Sequence, residues 1–132
     1  YFFMKQIIKT DQAPAPVGPY NQAIIANGIL YVSGQIAINP ATGALETQDI
    51  KTETERVMQN LAAVLKEANS SFEQVIKCSI FMADMGDYAA INEVYARYFN
   101  DHTAPAREAV EVANLPKYVH VEISCIALVN EK

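Results

Sequence analysis

The sequence has little of the positive charge that nucleic-acid-binding proteins usually carry. Ten Lys and Arg residues stand against 15 Asp and Glu residues in a chain of 132, which gives a formal net charge of −5. The basic residues are scattered, and they form no stripe that could follow a phosphate backbone. We therefore expect no nucleic acid as a partner, and we take the modest acidic excess as a sign of solubility only.

Cysteine is also scarce, and long apolar runs are absent. Cys78 and Cys125 both lie in apolar segments without Cys-x-x-Cys spacing, so we predict two buried free thiols. No stretch reaches the length of a membrane-spanning helix, and no signal peptide is evident. These absences predict a protein of the reducing cytoplasm that has no membrane contact.

No linker or internal repeat divides the chain. Hydrophobic residues make up 51% and charged residues 19%, which is the composition of a globular domain. The length suits a single core. We assign one domain to residues 4–132 and expect Tyr1-Phe2-Phe3 to be an expression remnant, with Met4 as the native start.

The order of periodic segments predicts an α+β domain, β-β-α-β-α-β-β, with one sheet and two helices on one of its faces. Apolar alternation predicts strands, and apolar spacing of three or four predicts helices. An Asn-Gly pair between the first two strands signals a hairpin, and three prolines within residues 11–20 predict an extended loop. The strands are predicted at 23–26, 29–35, 75–82, 107–112 and 119–129, and the helices at 50–68 and from 87 to about 100.

Each predicted helix carries one apolar stripe that we assign to the core. Asp49 is the expected N-cap of the first helix. Glu53 is assigned to the solvent side of that helix because it is charged. The first stripe comprises Ile50, Val57, Met58, Leu61, Val64, Leu65 and Ala68, and the inward residues of the second helix are Tyr88, Ile91, Val94, Tyr95 and Tyr98.

The last strand carries apolar side chains on both of its faces. Val121, Ile123 and Cys125 should point one way, whereas Glu122 and Ile126 should point the other. Two helices can cover only one face of the sheet. We therefore expect the second face to pack against another subunit.

Two charged residues are the candidates for chemistry. Arg107 begins a predicted strand after small Ala106, and a planar guanidinium can hold a carboxylate through two parallel hydrogen bonds. Glu122 lies among apolar neighbours, where a carboxylate could orient a water molecule and move protons. A surface arginine and a structural ion pair, including one between these two residues, remain the alternatives.

The sequence contains no other constellation that we assign to catalysis. His102 follows a helix end and His120 is expected to alternate outward on the last strand, so both are interpreted as surface or capping residues. No glycine-rich phosphate-binding motif is present. No cluster of His, Cys and carboxylate residues has metal-ligand spacing, so we expect no metal.

The motifs together resemble the RidA family of reactive intermediate deaminases, also called the YjgF family. The resemblance runs from about Lys5 to Val129 and includes Pro105-Ala106-Arg107 and Val121-Glu122-Ile123. The order and spacing of these motifs are highly specific. The matching segments are residues 15–23, 32–35, 60–61, 75–77, 84–88, 92–95, 98–99, 105–107, 110–116 and 121–123.

The resemblance implies a fold, an assembly and a reaction. The fold is the chorismate-mutase-like α+β domain, and the assembly is a homotrimer with three clefts between its subunits. The reaction is the hydrolysis of 2-imino acids, chiefly 2-iminobutanoate and 2-iminopropanoate, to 2-oxo acids and ammonia. These imines arise when pyridoxal-phosphate dehydratases act on threonine and serine. The mechanism that we expect, addition of a water held by Glu122 to a substrate anchored by Arg107, needs no cofactor.

The resemblance also implies roles for particular residues. Arg107 matches the arginine that binds the carboxylate, and Glu122 matches the glutamate that positions the water. The remaining matches are Tyr20, which lines the cleft, Ser33 and Gly34, whose backbone faces the ligand, and Asn92, which is structural or site-lining.

Two positions depart from the family pattern. Ala109 stands where many relatives carry Cys, so thiol chemistry is excluded there and any contact with the ligand is by backbone. Ser124 stands where a second Glu is common, which puts the substrate preference in doubt. Glu108 should point to the sheet face opposite Arg107.

Two other functions compete with the deaminase. One is a non-catalytic regulatory protein that binds 2-oxo acids on the same fold, which would need Arg107 but not a water-orienting Glu122. The other is an RNA-directed activity, which the acidic charge and the scattered basic residues disfavour.

Overall fold

The computed structural model describes residues 4–130, so the expectation for Tyr1-Phe2-Phe3 lies outside the described residues. Eight principal elements follow one another in the order β-β-β-α-β-α-β-β. They are β1 (Gln6–Ile8), β2 (Ala23–Ala26), β3 (Ile29–Gln35), α1 (Ile50–Glu67), β4 (Val75–Met82), α2 (Tyr88–Tyr95), β5 (Ala106–Glu111) and β6 (Val121–Leu128).

The strands form one mixed six-stranded sheet in the order β1-β2-β3-β6-β4-β5. Only β4 and β5 run parallel, and the other neighbours are antiparallel. The predicted α+β class with two helices is confirmed. The three-residue β1 was not predicted, because a strand so short has too little alternation to be distinguished from a loop.

The hairpin between β2 and β3 forms as its sequence predicts. Asn27 and Gly28 have φ angles of 51° and 78°, the left-handed conformations that a type I′ turn requires at both central positions. Ala26 pairs with Ile29 directly across this turn. The turn therefore fixes the register of both strands.

Helix α1 begins at its predicted cap, since the Asp49 carboxylate accepts a hydrogen bond from the Thr52 amide at 2.8 Å. The assignment of Glu53 to solvent is wrong, because this side chain is fully buried. Its carboxylate accepts the backbone N–H groups of His120 and Val121 at 2.7 and 3.3 Å, and its other oxygen lies 2.8 Å from His120 Nδ1. Helical periodicity places position 53 on the core stripe, and the carboxylate is tolerated there because it is hydrogen-bonded.

Helix α2 is shorter than predicted. Single 3₁₀ turns at 85–87 and 96–98 precede and follow it. Ile91, Val94 and Tyr95 are buried as expected, whereas Tyr88 is 37% exposed. The assignment of Tyr88 to the core is therefore wrong. Its hydroxyl instead accepts a hydrogen bond from Arg107 on the edge strand β5.

The last strand shows the predicted alternation. Val121, Ile123 and Cys125 are buried, while Glu122 and Ile126 on the other face remain half-buried. Both helices pack on the face of the sheet that carries Val121, Ile123 and Cys125. Cys78 and Cys125 are free thiols buried there, as predicted. Burial raises the pKa of both thiols, so they stay protonated.

The two histidines lie at the surface, but one of them differs in detail from its prediction. His102 is exposed. His120 precedes β6 instead of lying on the strand, and its half-exposed ring contacts the buried Glu53. The backbone N–H of His120 donates to the Glu53 carboxylate instead of to a neighbouring strand, and β6 begins at the next residue, Val121.

Candidate functional site

A pocket of about 380 Å³ lies between the proline-rich loop, the end of β3 and the start of β6. Its walls include apolar residues such as Val17, Ile36 and Ile38. Four of the residues predicted from the sequence also line it, namely Tyr20, Ser33, Gly34 and Glu122. The structure therefore brings these four together, and we call them the Glu122 half-site.

The proline-rich wall of the pocket is held by one buried amide. Gln22 is 3% exposed, and its side-chain oxygen accepts the Thr10 N–H at 2.7 Å. Its side-chain nitrogen donates to the carbonyls of Thr10, Ala13 and Pro14 at 2.9, 3.2 and 2.9 Å. A loop without regular structure is thus fixed in place, which preorganises the wall that carries Tyr20.

The floor of the half-site is an irregular part of β3. The register between β3 and β6 shifts between Val32 and Gln35, so Ser33 and Gly34 fall outside the regular ladder. The Ser33 hydroxyl donates to the Asn21 carbonyl at 2.6 Å. This hydroxyl therefore supports the loop, and the predicted backbone role of Ser33 toward a ligand stays a prediction.

Gly34 makes room for the Glu122 side chain. A Cβ atom at position 34 would lie only 2.7 Å from Cδ of Glu122 and would collide with the carboxylate. The clash would be with the end of a flexible side chain, so any larger residue at position 34 would force the Glu122 carboxylate to move from this position. The glutamate thus lies directly against the bulged strand.

Burial raises the pKa of the Glu122 carboxyl above its ordinary value, because desolvation disfavours the charged form. Among residues 4–130, no group hydrogen-bonds or forms an ion pair with this carboxylate. Its oxygens are therefore available to water or to a ligand. A carboxyl with a raised pKa can serve as either proton acceptor or proton donor nearer neutral pH.

A second cluster surrounds Arg107 at the sheet edge. Its Nη1 donates to Asn92 Oδ1 at 2.7 Å, and its Nη2 donates to Tyr88 Oη at 2.6 Å. The guanidinium carbon lies 5.0 Å from the centre of the Tyr95 ring and 5.6 Å from that of Tyr88, within the range of cation–π attraction. Ala109 lies two residues further along the same face of β5, and we call these five residues the Arg107 half-site.

One chain does not bring the two half-sites together. Arg107 pairs with Cys78, so its side chain lies on the helix-covered face of the sheet. Glu122 pairs with Phe81 on the opposite face, which we call the open face because neither helix packs on it. The alternative of an ion pair between Arg107 and Glu122 is therefore wrong. Glu108 lies on the open face as predicted, where it contacts Ser79 and accepts a hydrogen bond from Lys77 at 2.8 Å.

The sequence interpretation missed Tyr88 and Tyr95 as members of the Arg107 half-site. Tyr88, Asn92 and Tyr95 are spaced four and three residues apart, so they share one side of α2. This spacing was visible, but it was interpreted as core packing. The spacing along α2 could not show that the edge strand β5 places Arg107 beside these three residues.

The described part of the chain offers no group of His, Cys, Asp and Glu residues that could hold a metal ion. None of its helices has the length and apolar character needed to cross a bilayer.

The mixed sheet with two helices on one face defines a class of small α+β proteins. Within that class, the pattern of the family described as Endoribonuclease L-PSP matches residues 10–129. The chain belongs to this family, which is also known as the RidA or YjgF family.

Individual relatives cover nearly the whole chain. A RutC family protein of Synechocystis is 52% identical over 124 residues, which are 93% of this chain and 95% of that protein. A 2-iminobutanoate/2-iminopropanoate deaminase of Capra hircus is 40% identical over 125 residues, 95% of this chain and 90% of that protein. The crystal structure of Escherichia coli TdcF with bound serine is 38% identical with a TM-score of 0.88, and the match covers 95% of this chain and 99% of that one.

Proposed function

We propose that this protein hydrolyses reactive 2-imino acids, chiefly 2-iminobutanoate and 2-iminopropanoate, to the 2-oxo acid and ammonia. The observation that carries the proposal is Glu122, a partly desolvated carboxylate that has no partner among the described residues and faces a pocket with apolar walls. A deaminase relative at 40% identity supports the same reaction.

The chemistry divides between the two half-sites. Arg107 binds the substrate carboxylate, and Glu122 accepts a proton from a water molecule as that water adds to the imine carbon. This addition converts the imine into a carbinolamine, in which the carbon carries a hydroxyl group and a single bond to nitrogen. The nitrogen is then protonated. The C–N bond then breaks and ammonia leaves, while the hydroxyl group loses its proton to Glu122 or to solvent, and the oxygen from water remains as the new carbonyl. Each step is a proton transfer, an addition or an elimination, and none changes an oxidation state, so the proposed reaction needs no cofactor.

We further propose that the active site is shared between copies of the chain, in a homotrimer with clefts between subunits. Arg107 and Glu122 lie on opposite faces of one sheet, so a single chain cannot present both to one small substrate. The open face also carries exposed apolar side chains, including Tyr31 at 49% and Leu128 at 45% exposure. A second copy would cover such a face and supply the missing half-site.

The protein is proposed to act on small molecules in the cytoplasm, without nucleic acid or membrane partners. Two buried free thiols suit a reducing compartment. A pure 2-oxo acid sensor would share Arg107 but would have no use for an available carboxylate at Glu122. Turnover therefore separates the proposed enzyme from the binder.

A coupled assay tests the proposal. A threonine dehydratase supplies 2-iminobutanoate, and formation of 2-oxobutanoate is followed with and without this protein. We expect acceleration by the native protein and a rate near background for Arg107→Ala, because the carboxylate anchor is lost. Arg97→Ala is the matched control, since Arg97 is 56% exposed and contacts only Glu93 at 3.6 Å among the described ion pairs.

Two results would contradict the proposal. Full activity in a folded Arg107→Ala protein would show that Arg107 is not the anchor. An unaltered rate of imine decay in the presence of the native protein would favour the 2-oxo acid binder.

A further inference from the structure

Tyr88 holds one end of the Arg107 guanidinium. It is the first residue of α2, and its Oη accepts a hydrogen bond from Arg107 Nη2 at 2.6 Å. Its ring centre lies 5.6 Å from the guanidinium carbon. Tyr88 is 37% exposed although Ile91, Val94 and Tyr95 of the same helix are buried. This tyrosine thus packs against the arginine at the surface instead of filling the core.

The second hydrogen bond fixes the plane of the guanidinium. Asn92 alone would hold the Nη1 end and leave the group free to swing about that contact. Tyr88 holds the Nη2 end, and the guanidinium carbon lies over the Tyr95 ring, 5.0 Å from the ring centre. A bidentate carboxylate needs two N–H groups in one fixed plane. Of the five N–H groups of an arginine, about three remain for a ligand after these two contacts.

Neither hydrogen-bond partner of the guanidinium is charged. Asn92 offers an amide oxygen and Tyr88 a phenol oxygen, and no carboxylate forms an ion pair with Arg107 among residues 4–130. A carboxylate partner would orient the arginine equally well but would compete with an anionic ligand. The neighbouring Glu108 points to the other face, where Lys77 accompanies it. The positive charge is therefore held in position and left uncompensated.

We infer that Tyr88 is a positioning residue, which orients Arg107 for a planar carboxylate and thereby sets the affinity for 2-imino and 2-oxo acids. The inference rests on the proposed function in one respect, that Arg107 meets the ligand carboxylate. It adds a residue to which no role was given by the sequence motifs.

The test is Tyr88→Phe, which keeps the ring and removes only the hydroxyl. The Kd of 2-oxobutanoate by calorimetry and the KM of the imine assay should both rise about tenfold, the effect of losing one hydrogen bond to a charged group. The value of kcat should change little, because an anchor that binds ground state and transition state alike appears in KM.

Tyr98→Phe is the matched control. Its hydroxyl also bonds a charged side chain, Glu55, in the 3₁₀ turn that follows α2, but it does not contact Arg107. This variant should keep the native Kd and KM. Thermal melts and size measurements on all three proteins establish that fold and assembly are unchanged.

The outcomes separate this inference from the proposed function. If the native protein binds 2-oxobutanoate in a Tyr88-dependent way but does not accelerate imine decay, the deaminase fails and the inference stands. If Tyr88→Phe binds as tightly as the native protein, the inference is overturned while the deaminase can stand. A native protein that does not bind 2-oxobutanoate, or a Tyr88→Phe protein that does not fold, also overturns the inference.

Discussion

At the scale of single residues, the local sequence pattern predicted the sheet face on which Glu122 lies but not the surroundings of its carboxylate. Strand alternation correctly placed it on the face opposite Ile123. The pattern could not show that Gly34, far away in sequence, makes the space for its carboxylate, or that burial raises its pKa. Both depend on the pairing of β3 with β6, which no local window contains.

The raised pKa of Glu122 predicts how the stability of the fold depends on pH. A carboxyl whose pKa is higher in the folded than in the unfolded state favours folding when protonated. That contribution is present at low pH and is lost as pH rises through the folded-state pKa. At neutral pH the charged Glu122 therefore destabilises the fold, and Glu122→Gln should raise the Tm while lowering activity to near background.

Thermal melts from about pH 4 to pH 8 and the coupled assay check this prediction. The gain in Tm should shrink toward the acid end, where the native carboxyl is itself protonated. Glu73→Gln, at an exposed position, should show neither effect. A lower Tm for Glu122→Gln at neutral pH, or undiminished activity, would contradict the assignment.

At the scale of elements, helical periodicity predicted the buried side of α1 correctly, whereas assignment by residue type was wrong for Glu53 and Tyr88. The apolar stripe of α1 predicted most of its buried residues, but its one buried carboxylate was assigned to solvent by residue type. Glu53 is buried because its oxygens satisfy the backbone at the start of β6, a contact across 67 residues. Tyr88 was misassigned for the opposite reason, since its polar end makes a contact at the surface.

Removing the Glu53 carboxylate should therefore destabilise the domain strongly. Glu53→Ala leaves two backbone N–H groups without their acceptor, those of His120 and Val121, which we expect to cost about 3 kcal/mol of the free energy of unfolding. Glu53→Gln keeps an acceptor oxygen and should cost less. Urea unfolding at a fixed protein concentration measures both.

Glu67→Ala is the control for this comparison. Glu67 is exposed in the last turn of the same helix, so its removal should change stability by no more than about 0.5 kcal/mol. Equal losses for Glu53→Ala and Glu67→Ala would show that the buried contact contributes nothing particular.

At the scale of the whole molecule, the fold class followed from the order of periodic segments, but the geometry of the site did not. The sequence indicated both Arg107 and Glu122 and could not show that they lie on opposite sheet faces, two strands apart. That separation follows from the strand order β3-β6-β4-β5, which is fixed by long-range pairing. The expectation of a subunit on the open face remains a prediction.

A shared site makes a prediction that a site within one chain does not. Arg107→Ala and Glu122→Gln should each be inactive as pure proteins, but assemblies containing both variants should recover part of the native activity. In a mixed assembly, a chain with intact Arg107 lies beside a chain with intact Glu122, and that pair forms one complete site. Co-expression with two different affinity tags, followed by sequential capture, isolates the mixed assemblies for the imine assay. The matched control is a mixture of two differently tagged Arg107→Ala chains, which restores no site. Because Arg107 and Glu122 cannot meet within one described chain, isolated mixed assemblies that stay inactive would contradict the shared site, as would a fully active monomer.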